Sequence, residues 1–122
     1  MATDKRPELL KGTLDLLVLG VLAEEPAHGY DIARRIEARS RGPRGRDPSF
    51  EVEEGSLYPA LHRLERRGWV EAHWGLSEAN RRAKFYRLTR RGRAELERQM
   101  ASWRRLSRAV DHVLRPALGG AS

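Results

Sequence analysis

Glu54-Gly-Ser-Leu-Tyr-Pro-Ala-Leu-His-Arg-Leu-Glu-Arg-Arg-Gly68, followed at once by Trp69-Val-Glu-Ala-His-Trp74, decides the fold of this chain. Pro59 has no amide hydrogen and sits most comfortably in the first turn of a helix. That places the N-cap at or near Ser56, a residue type suited to capping. From there Leu57, Leu61 and Leu64 fall at i, i+4 and i+7 and form a buried stripe, while Tyr58, His62, Arg63 and Arg66 occupy the opposite face. Gly68 stands where a helix-ending glycine is expected. Beyond it, residues 69–74 and Ala83-Lys-Phe-Tyr-Arg-Leu88 are rich in aromatic and branched side chains and read as two strands. The eight residues 75–82 between them are a polar connection.

Outward from this unit, the remaining segments are helical. Residues from Thr13, a suitable N-cap, to Ala23 form a first helix, with a turn before it from Pro7. Leu14, Leu16, Leu17, Val18, Leu19, Val21 and Leu22 leave that helix almost no polar face, so it is buried on more than one side. Glu24, Glu25 and Pro26 end it. A second helix runs from His28 or Gly29 to Arg39 with Ile32, Ala33 and Ile36 inward. Ser40–Ser49 then holds two prolines, two glycines and three arginines, the composition of a mobile loop. Phe50–Val52 is a candidate short strand before the third helix. Thr89 caps a last helix that ends near Arg115, before Pro116 and two glycines. Three helices, a two-stranded hairpin and a long helix make a mainly α (α+β) winged helix-turn-helix. The expected organisation is a DNA-binding unit over 9–88, a C-terminal dimerisation helix over 89–115 and a flexible tail over 116–122.

Charge gives the fold its partner class. The 122 residues carry 24 Lys and Arg against 17 Asp and Glu, a net charge of +7, which favours a polyanion: nucleic acid or an anionic membrane surface. No carboxylate lies between Glu78 and Glu95, a span that holds Arg81, Arg82, Lys84, Arg87, Arg90, Arg91 and Arg93. These seven cations equal the whole charge excess, and they sit on a hairpin and the start of a helix. A solvated basic surface is the plainer explanation of such a run. Its single sign, next to a helix exposing Tyr, His and Arg, favours nucleic acid. A membrane-surface protein would instead line its cations along one amphipathic helix.

The division of labour follows from chemistry. Wing arginines and the lysine reach phosphates and the minor groove, giving salt-sensitive affinity. The third helix is of a size to enter the major groove. Ser56 and Tyr58 hydroxyls suit phosphate contacts, whereas His62, Arg63 and Arg66 suit base edges; Tyr58 also reads as a half-buried packing residue. Catalysis has no support. There is no cysteine, and His28, His62, His73 and His112 have no metal-ligand spacing and no Ser-His-acid set beside them. No metal or cofactor is expected. The apolar stretch 14–23 is ten residues long and includes Asp15, too short for the roughly 20 residues a bilayer requires. It also starts too late for a signal peptide, so a cytoplasmic location is expected.

Along the last helix Leu96, Trp103 and Val110 repeat every seven residues, Leu106 and Val113 follow three behind, and Met100 and Leu114 widen the stripe. A seam on a helix of about 25 residues, roughly 38 Å, reads as a pairing surface. A second copy is the economical cover for it, with Leu14 and Leu17 of the first helix in the same interface. The alternative is that the helix folds back on its own domain. A homodimer would set two recognition helices about one DNA turn apart, roughly 34 Å, and so demand a palindromic operator. A non-specific architectural binder using the same fold is the rival function.

Taken together, Leu10-Lys-Gly-Thr-Leu-Asp-Leu-Leu-Val-Leu19, His28-Gly-Tyr30, Glu54–Leu64 and Trp74–Thr89 resemble, in order, the motifs of the PadR family of bacterial transcriptional regulators. The likeness runs from about Leu9 to Leu114. It implies a homodimeric regulator, usually a repressor, that binds an inverted-repeat operator in the bacterial cytoplasm and is released by a small molecule. On matching positions it implicates Tyr30, Ser56, Tyr58, Pro59, His62 and Lys84 in or beside the DNA surface, and it makes the chain the short type with a single C-terminal helix. The Arg41–Pro48 loop departs from the pattern, being longer and more basic, and offers added DNA contacts. In some drug-sensing members a tryptophan on the last helix lines a pore at the dimer interface. Trp103, with Met100 beside it, thus reads either as a core residue of the dimer or as the wall of a pocket for a flat aromatic effector.

Overall fold

The computed structural model describes residues 12–117 and 119. The elements run α1 (Thr13–Leu22), β1 (Ala27–His28), α2 (Gly29–Ser40), α3 (Glu54–Arg66), β2 (Val70–Leu76), β3 (Arg82–Leu88) and α4 (Arg90–Leu114). The strands form one antiparallel sheet in the order β1-β3-β2. This is the expected winged helix-turn-helix with a long final helix. The expected turn from Pro7, and all of the expected tail except Pro116, Ala117 and Gly119, lie outside the described residues.

One core serves all the elements. Val18, Leu19 and Leu22 of α1 meet Ile32 and Ile36 of α2, Leu57, Leu61 and Leu64 of α3, Val70 of β2 and Leu96 of α4, all buried. The stripe read from α3 is therefore the one that packs. Gly68 closes that helix with φ 75°, a left-handed conformation that disfavours any side chain. The Trp69 amide reaches the Leu64 carbonyl at 3.0 Å and the Gly68 amide the Glu65 carbonyl at 3.0 Å, satisfying two terminal acceptors.

Several boundaries differ from expectation. Thr13 is the first helical residue of α1, not its cap: Gly12, with φ 89°, holds the cap position without a side-chain bond. Helix α3 begins at Glu54 with Glu53 as N-cap, so Ser56 lies inside it and Pro59 falls in its second turn. The Ser56 and Leu57 amides already bond the Glu53 carbonyl at 3.0 and 2.9 Å, which starts the turn upstream. Pro59 then removes only the bond that would close on Gly55. Phe50–Val52 is not a strand. Its amides are taken by α2 side chains, Phe50 N–H by Ser40 Oγ at 2.8 Å and Val52 N–H by Glu37 Oε2 at 2.8 Å, leaving the sheet's third strand to Ala27–His28. The hairpin strands run further than expected, with Gly75 opposite Ala83 and Leu76 opposite Arg82. The connection is thus Ser77–Arg81, closed by the Ser77 amide on the Arg81 carbonyl at 2.8 Å.

The hairpin and α4 meet at a tight joint. Thr89 caps α4 by accepting from the Gly92 amide at 3.0 Å, while its hydroxyl donates to the Gly68 carbonyl at 2.6 Å and its amide to the Trp69 carbonyl at 3.0 Å. Gly92 lies so close that a Cβ there would fall inside the Trp69 carbonyl group and 2.7 Å from Leu88 Cδ1. Past this joint α4 packs on α1 through Leu96. Met100, Trp103, Leu106, Val110, Val113 and Leu114 are 38–78 % exposed. Leu14 and Leu96, both expected at the interface, are instead buried within the single chain, at 8 % and 6 % exposure: Leu96 packs against α1, and Leu14 lies on the other side of α1, beside Val52, Pro59 and Arg63.

Gly92→Ala should lower unfolding free energy by about 3 kcal/mol or more, the top of the usual overpacking range, because the clash is with backbone. Gly55→Ala, where nothing lies within 4 Å of the new methyl, should stabilise by about 0.5–1 kcal/mol through helix propensity. Chemical denaturation of both variants checks the contrast; equal stabilities would remove the joint's assigned role.

Candidate nucleic-acid interface

Helix α3 supplies the exposed centre of the surface. At 3.6 residues per turn, the residues opposite its buried stripe are Gly55, Pro59, His62 and Arg66, all exposed. The polar residues read from the sequence do not share this single face. Tyr58 lies on the flank toward α2 and β3, and Ser56 and Arg63 lie on the flank toward α1. Tyr58 crosses the start of α2 directly: a Cβ at Gly29 would stand 2.8 Å from its hydroxyl oxygen. Only glycine leaves room for the ring, which remains 40 % exposed. Tyr30, one residue on, is 62 % exposed with the Arg34 guanidinium 5.3 Å from its ring centre.

Arg63, expected to read base edges, is engaged by a carboxylate of α1. Its Nη2 and Nε donate to the two Asp15 oxygens at 2.8 and 3.4 Å, a fork that ties α3 to α1. The hydrogen bond to Asp15, and then its charge, raise the Arg63 pKa further. A guanidinium already engaged by a carboxylate is a poor reader of a base edge.

On the other flank, Lys84 of β3 extends to Glu65 Oε1 at 3.5 Å, with its ammonium 5.6 Å from the Tyr86 ring centre. Tyr86 is buried, and burial pushes its hydroxyl above the ordinary range while Lys84 acts in the opposite sense. Lys84 thus bridges the recognition helix and the wing.

The seven-cation run separates once partners are assigned. Lys84 pairs with Glu65, Arg87 with Glu71, and Arg93 donates to the Ala23 carbonyl at 3.3 Å. Among the described residues Arg81, Arg82, Arg90 and Arg91 have no carboxylate partner, and Arg82 instead lies 4.8 Å from the Trp74 ring centre. On α2 the pattern is reversed: Arg34 pairs with Glu37, Arg35 with Glu25, and Arg39 with Glu24. Among the described residues, arginines without a carboxylate partner therefore lie on the hairpin and the start of α4, on α3 at Arg66, further along α4 at Arg104, Arg105 and Arg108, and at its end at Arg115. Arg41, Arg44 and Arg46 are exposed too, but at the far end of α2 from Tyr30, roughly 18 Å along the helix.

Sequence reasoning overlooked Asp15, Glu65 and Trp74. Only Trp74 left a usable signal, since it shares the two-residue alternation of buried Val70. Away from this surface, a groove of about 530 Å³ between α1, α2 and α4 brings Trp103 and Met100 together with Leu17, Ile36 and Phe50; Arg39 and Arg104 also line it. Among the described residues no helix is long and apolar enough to cross a membrane.

A winged helix-turn-helix with an exposed recognition helix and a wing of unpaired cations defines a DNA-binding protein of the regulator class. The chain matches the PadR-like family of transcriptional regulators over residues 18–98. It belongs to that family, and regulators of this kind are in general not enzymes. A transcriptional regulator of Mycobacterium tuberculosis is 28 % identical over 115 residues, covering 94 % of this chain and 92 % of that protein. The crystal structure of a PadR-like regulator from Bacillus cereus superposes with a TM-score of 0.71 at 28 % identity, covering 89 % and 98 % of the two chains. A PadR family regulator from Clostridium difficile gives 0.69 at 28 % identity, covering 84 % and 99 %.

Arg63→Ala should lower stability by about 1 kcal/mol or less, since the pair is partly exposed. It should leave DNA affinity nearly unchanged if the Asp15 fork is the side chain's role. Parallel denaturation and gel-shift titrations check this; a large loss of affinity at unchanged stability would return Arg63 to the binding surface.

Proposed function

We propose that the protein is a homodimeric repressor that binds an inverted-repeat operator through α3 and the wing and is released by a small hydrophobic or aromatic effector. One observation carries the reading: a single chain presents two uncovered surfaces of opposite character. The hairpin and α3 expose cations with no carboxylate partner, and the outer part of α4 exposes an apolar stripe from Met100 to Leu114. The first suits phosphate and base edges. The second is a row of large apolar side chains, the kind of surface that marks an interaction site.

In this reading residues 9–88 form the DNA-binding unit and residues 89–115 the pairing helix, at work in the bacterial cytoplasm on the nucleoid. Tyr30, Ser56, Tyr58 and Lys84 hold phosphates and fix register; Pro59, His62 and Arg66 face the major groove. Arg81 meets phosphates and Arg82 extends along the adjoining minor groove. Leu17, Met100, Trp103, Leu106, Val110 and Val113 meet a second copy, and Trp103 with Met100 borders the effector.

An operator recovered from a random pool should be an inverted repeat that outcompetes random duplex by about a thousandfold or more at physiological salt. Equal competition would assign the protein to non-specific architectural binding instead. Arg81→Ala should reduce the slope of log K against log salt by roughly 0.9 without altering preference among operator cores.

Sedimentation velocity should give a dimer, and Leu106→Asp with Val110→Asp should give a monomer whose operator affinity falls by about a hundredfold or more through lost bivalency. A wild-type monomer at micromolar concentration would defeat the pairing assignment. Trp103→Ala that leaves both the dimer and release by flat aromatic compounds intact would defeat the effector assignment.

A further inference from the structure

The hairpin has an apolar feature that phosphate binding does not require. Side chains alternate along each strand, and the cross-strand pairs Val70–Leu88, Ala72–Tyr86, Trp74–Lys84 and Leu76–Arg82 share one face. At its base this face is core: Val70 and Tyr86 are 2 % and 4 % exposed. Towards the tip the same face runs out from under α3, beyond the Lys84–Glu65 contact, and Trp74 and Leu76 become 59 % and 68 % exposed. Two large apolar side chains thus stand side by side on the most basic element of the chain. Across the diagonal, where long side chains still meet, the Arg82 guanidinium lies over the Trp74 ring.

A guanidinium on an aromatic face differs from one on a carboxylate. The ring attracts it and fixes its plane, yet neutralises none of its charge and occupies few of its donors. Arg82 is therefore held extended along the exposed face with its charge intact. Its surroundings are the indole and Leu76 on one side and Arg81 and Lys84 in sequence around it. This combination fits a narrow minor groove. A·T-rich tracts narrow that groove and concentrate its negative potential, which draws in arginine, whereas G·C pairs place an amino group on its floor. The deoxyribose walls of the groove supply the apolar contact that Trp74 and Leu76 would cover.

We propose that Trp74 is a positioning residue that presents Arg82 to a narrow A·T-rich minor groove flanking each half-site, with Leu76 packing on the groove wall. The wing then reads sequence through groove shape outside the bases contacted by α3. This rests on the operator-binding reading above and adds specificity to it.

The test uses the full chain and duplexes that keep the core selected from the random pool by wild-type protein, with outer flanks made all A·T or all G·C. Wild type should prefer the A·T flank by about tenfold. Trp74→Ala and Arg82→Ala should each bring that ratio to within about twofold of unity. Trp74→Phe, which keeps an aromatic platform, should retain most of it. Arg81→Ala should weaken both duplexes alike and leave the ratio unchanged. Trp74 is exposed, so its loss should not disturb folding, and an unchanged circular dichroism melt verifies this. Equal binding of the two flanks by wild type overturns the proposal. So does a ratio that survives Trp74→Ala. A pool that yields no preferred sequence fails the operator reading itself, which is a separate and earlier result.

Discussion

The structure depends on how closely α4 approaches the end of α3, an approach that only a residue without a side chain at position 92 permits. The carbonyls of Gly68 and Trp69, consecutive groups at the exit of the recognition helix, both accept from Thr89. Thr89 in turn caps α4 through the Gly92 amide. Four residues therefore tie the end of α3, the base of the wing and the start of α4 into one joint. Because α4 is 25 residues long, roughly 38 Å, a tilt of about 10° at this joint would displace its far end by roughly 7 Å. In the proposed dimer that is a large fraction of the spacing tolerance between two recognition helices one DNA turn apart. In that proposed dimer, rigidity at Thr89 and Gly92 would let a pairing surface at one end of α4 set a DNA-reading distance at the other.

Charge is distributed by pairing as much as by composition. Exposed ion pairs such as Arg34–Glu37 and Arg35–Glu25 contribute little stability, of order 0–1 kcal/mol. Their effect on the surface field is larger, because each cancels a guanidinium on α2 that would otherwise compete for polyanions. The first turn of α4 has no carboxylate, and the one at the hairpin tip, Glu78, is not paired with an arginine among the described residues. Part of the net charge of +7 is thereby gathered beside the exposed face of α3. An evenly basic protein would attract DNA in many orientations; this placement favours one.

Most of the fold was legible in local signals. The Leu57, Leu61 and Leu64 spacing, the terminal Gly68, the Thr89 cap and the heptad-like stripe each depend on residues within a few positions of one another. The failures have a different physical origin. Ala27–His28 has no strand signature; it pairs because Tyr86 and Phe85 of β3 offer it an edge. Phe50–Val52 has strand composition, but Ser40 and Glu37 claim its amides first. The start of α3 was displaced because proline's preference for the first turn is weak against a turn already closed on Glu53. Arg63 and Asp15 are 48 positions apart, beyond any periodicity argument. Leu96 belongs to the same apolar stripe as the exposed residues of α4, and periodicity alone does not say which neighbour covers a stripe.

The arginines supply the last distinction, since residue type alone misassigns them. Arg63 and Arg82 both stand on elements expected to approach DNA. Arg63 meets a carboxylate in a two-point fork, which occupies two of its donors and offsets its charge, and so braces α1 against α3. Arg82 meets an indole, which restricts its motion while leaving charge and donors available. A free surface arginine would lose side-chain freedom worth up to about 2 kcal/mol on being immobilised, and the indole contact settles part of that loss before any DNA arrives. What a guanidinium rests on thus decides whether it is structural or available for recognition, and in this protein that partner lies on a neighbouring strand or helix.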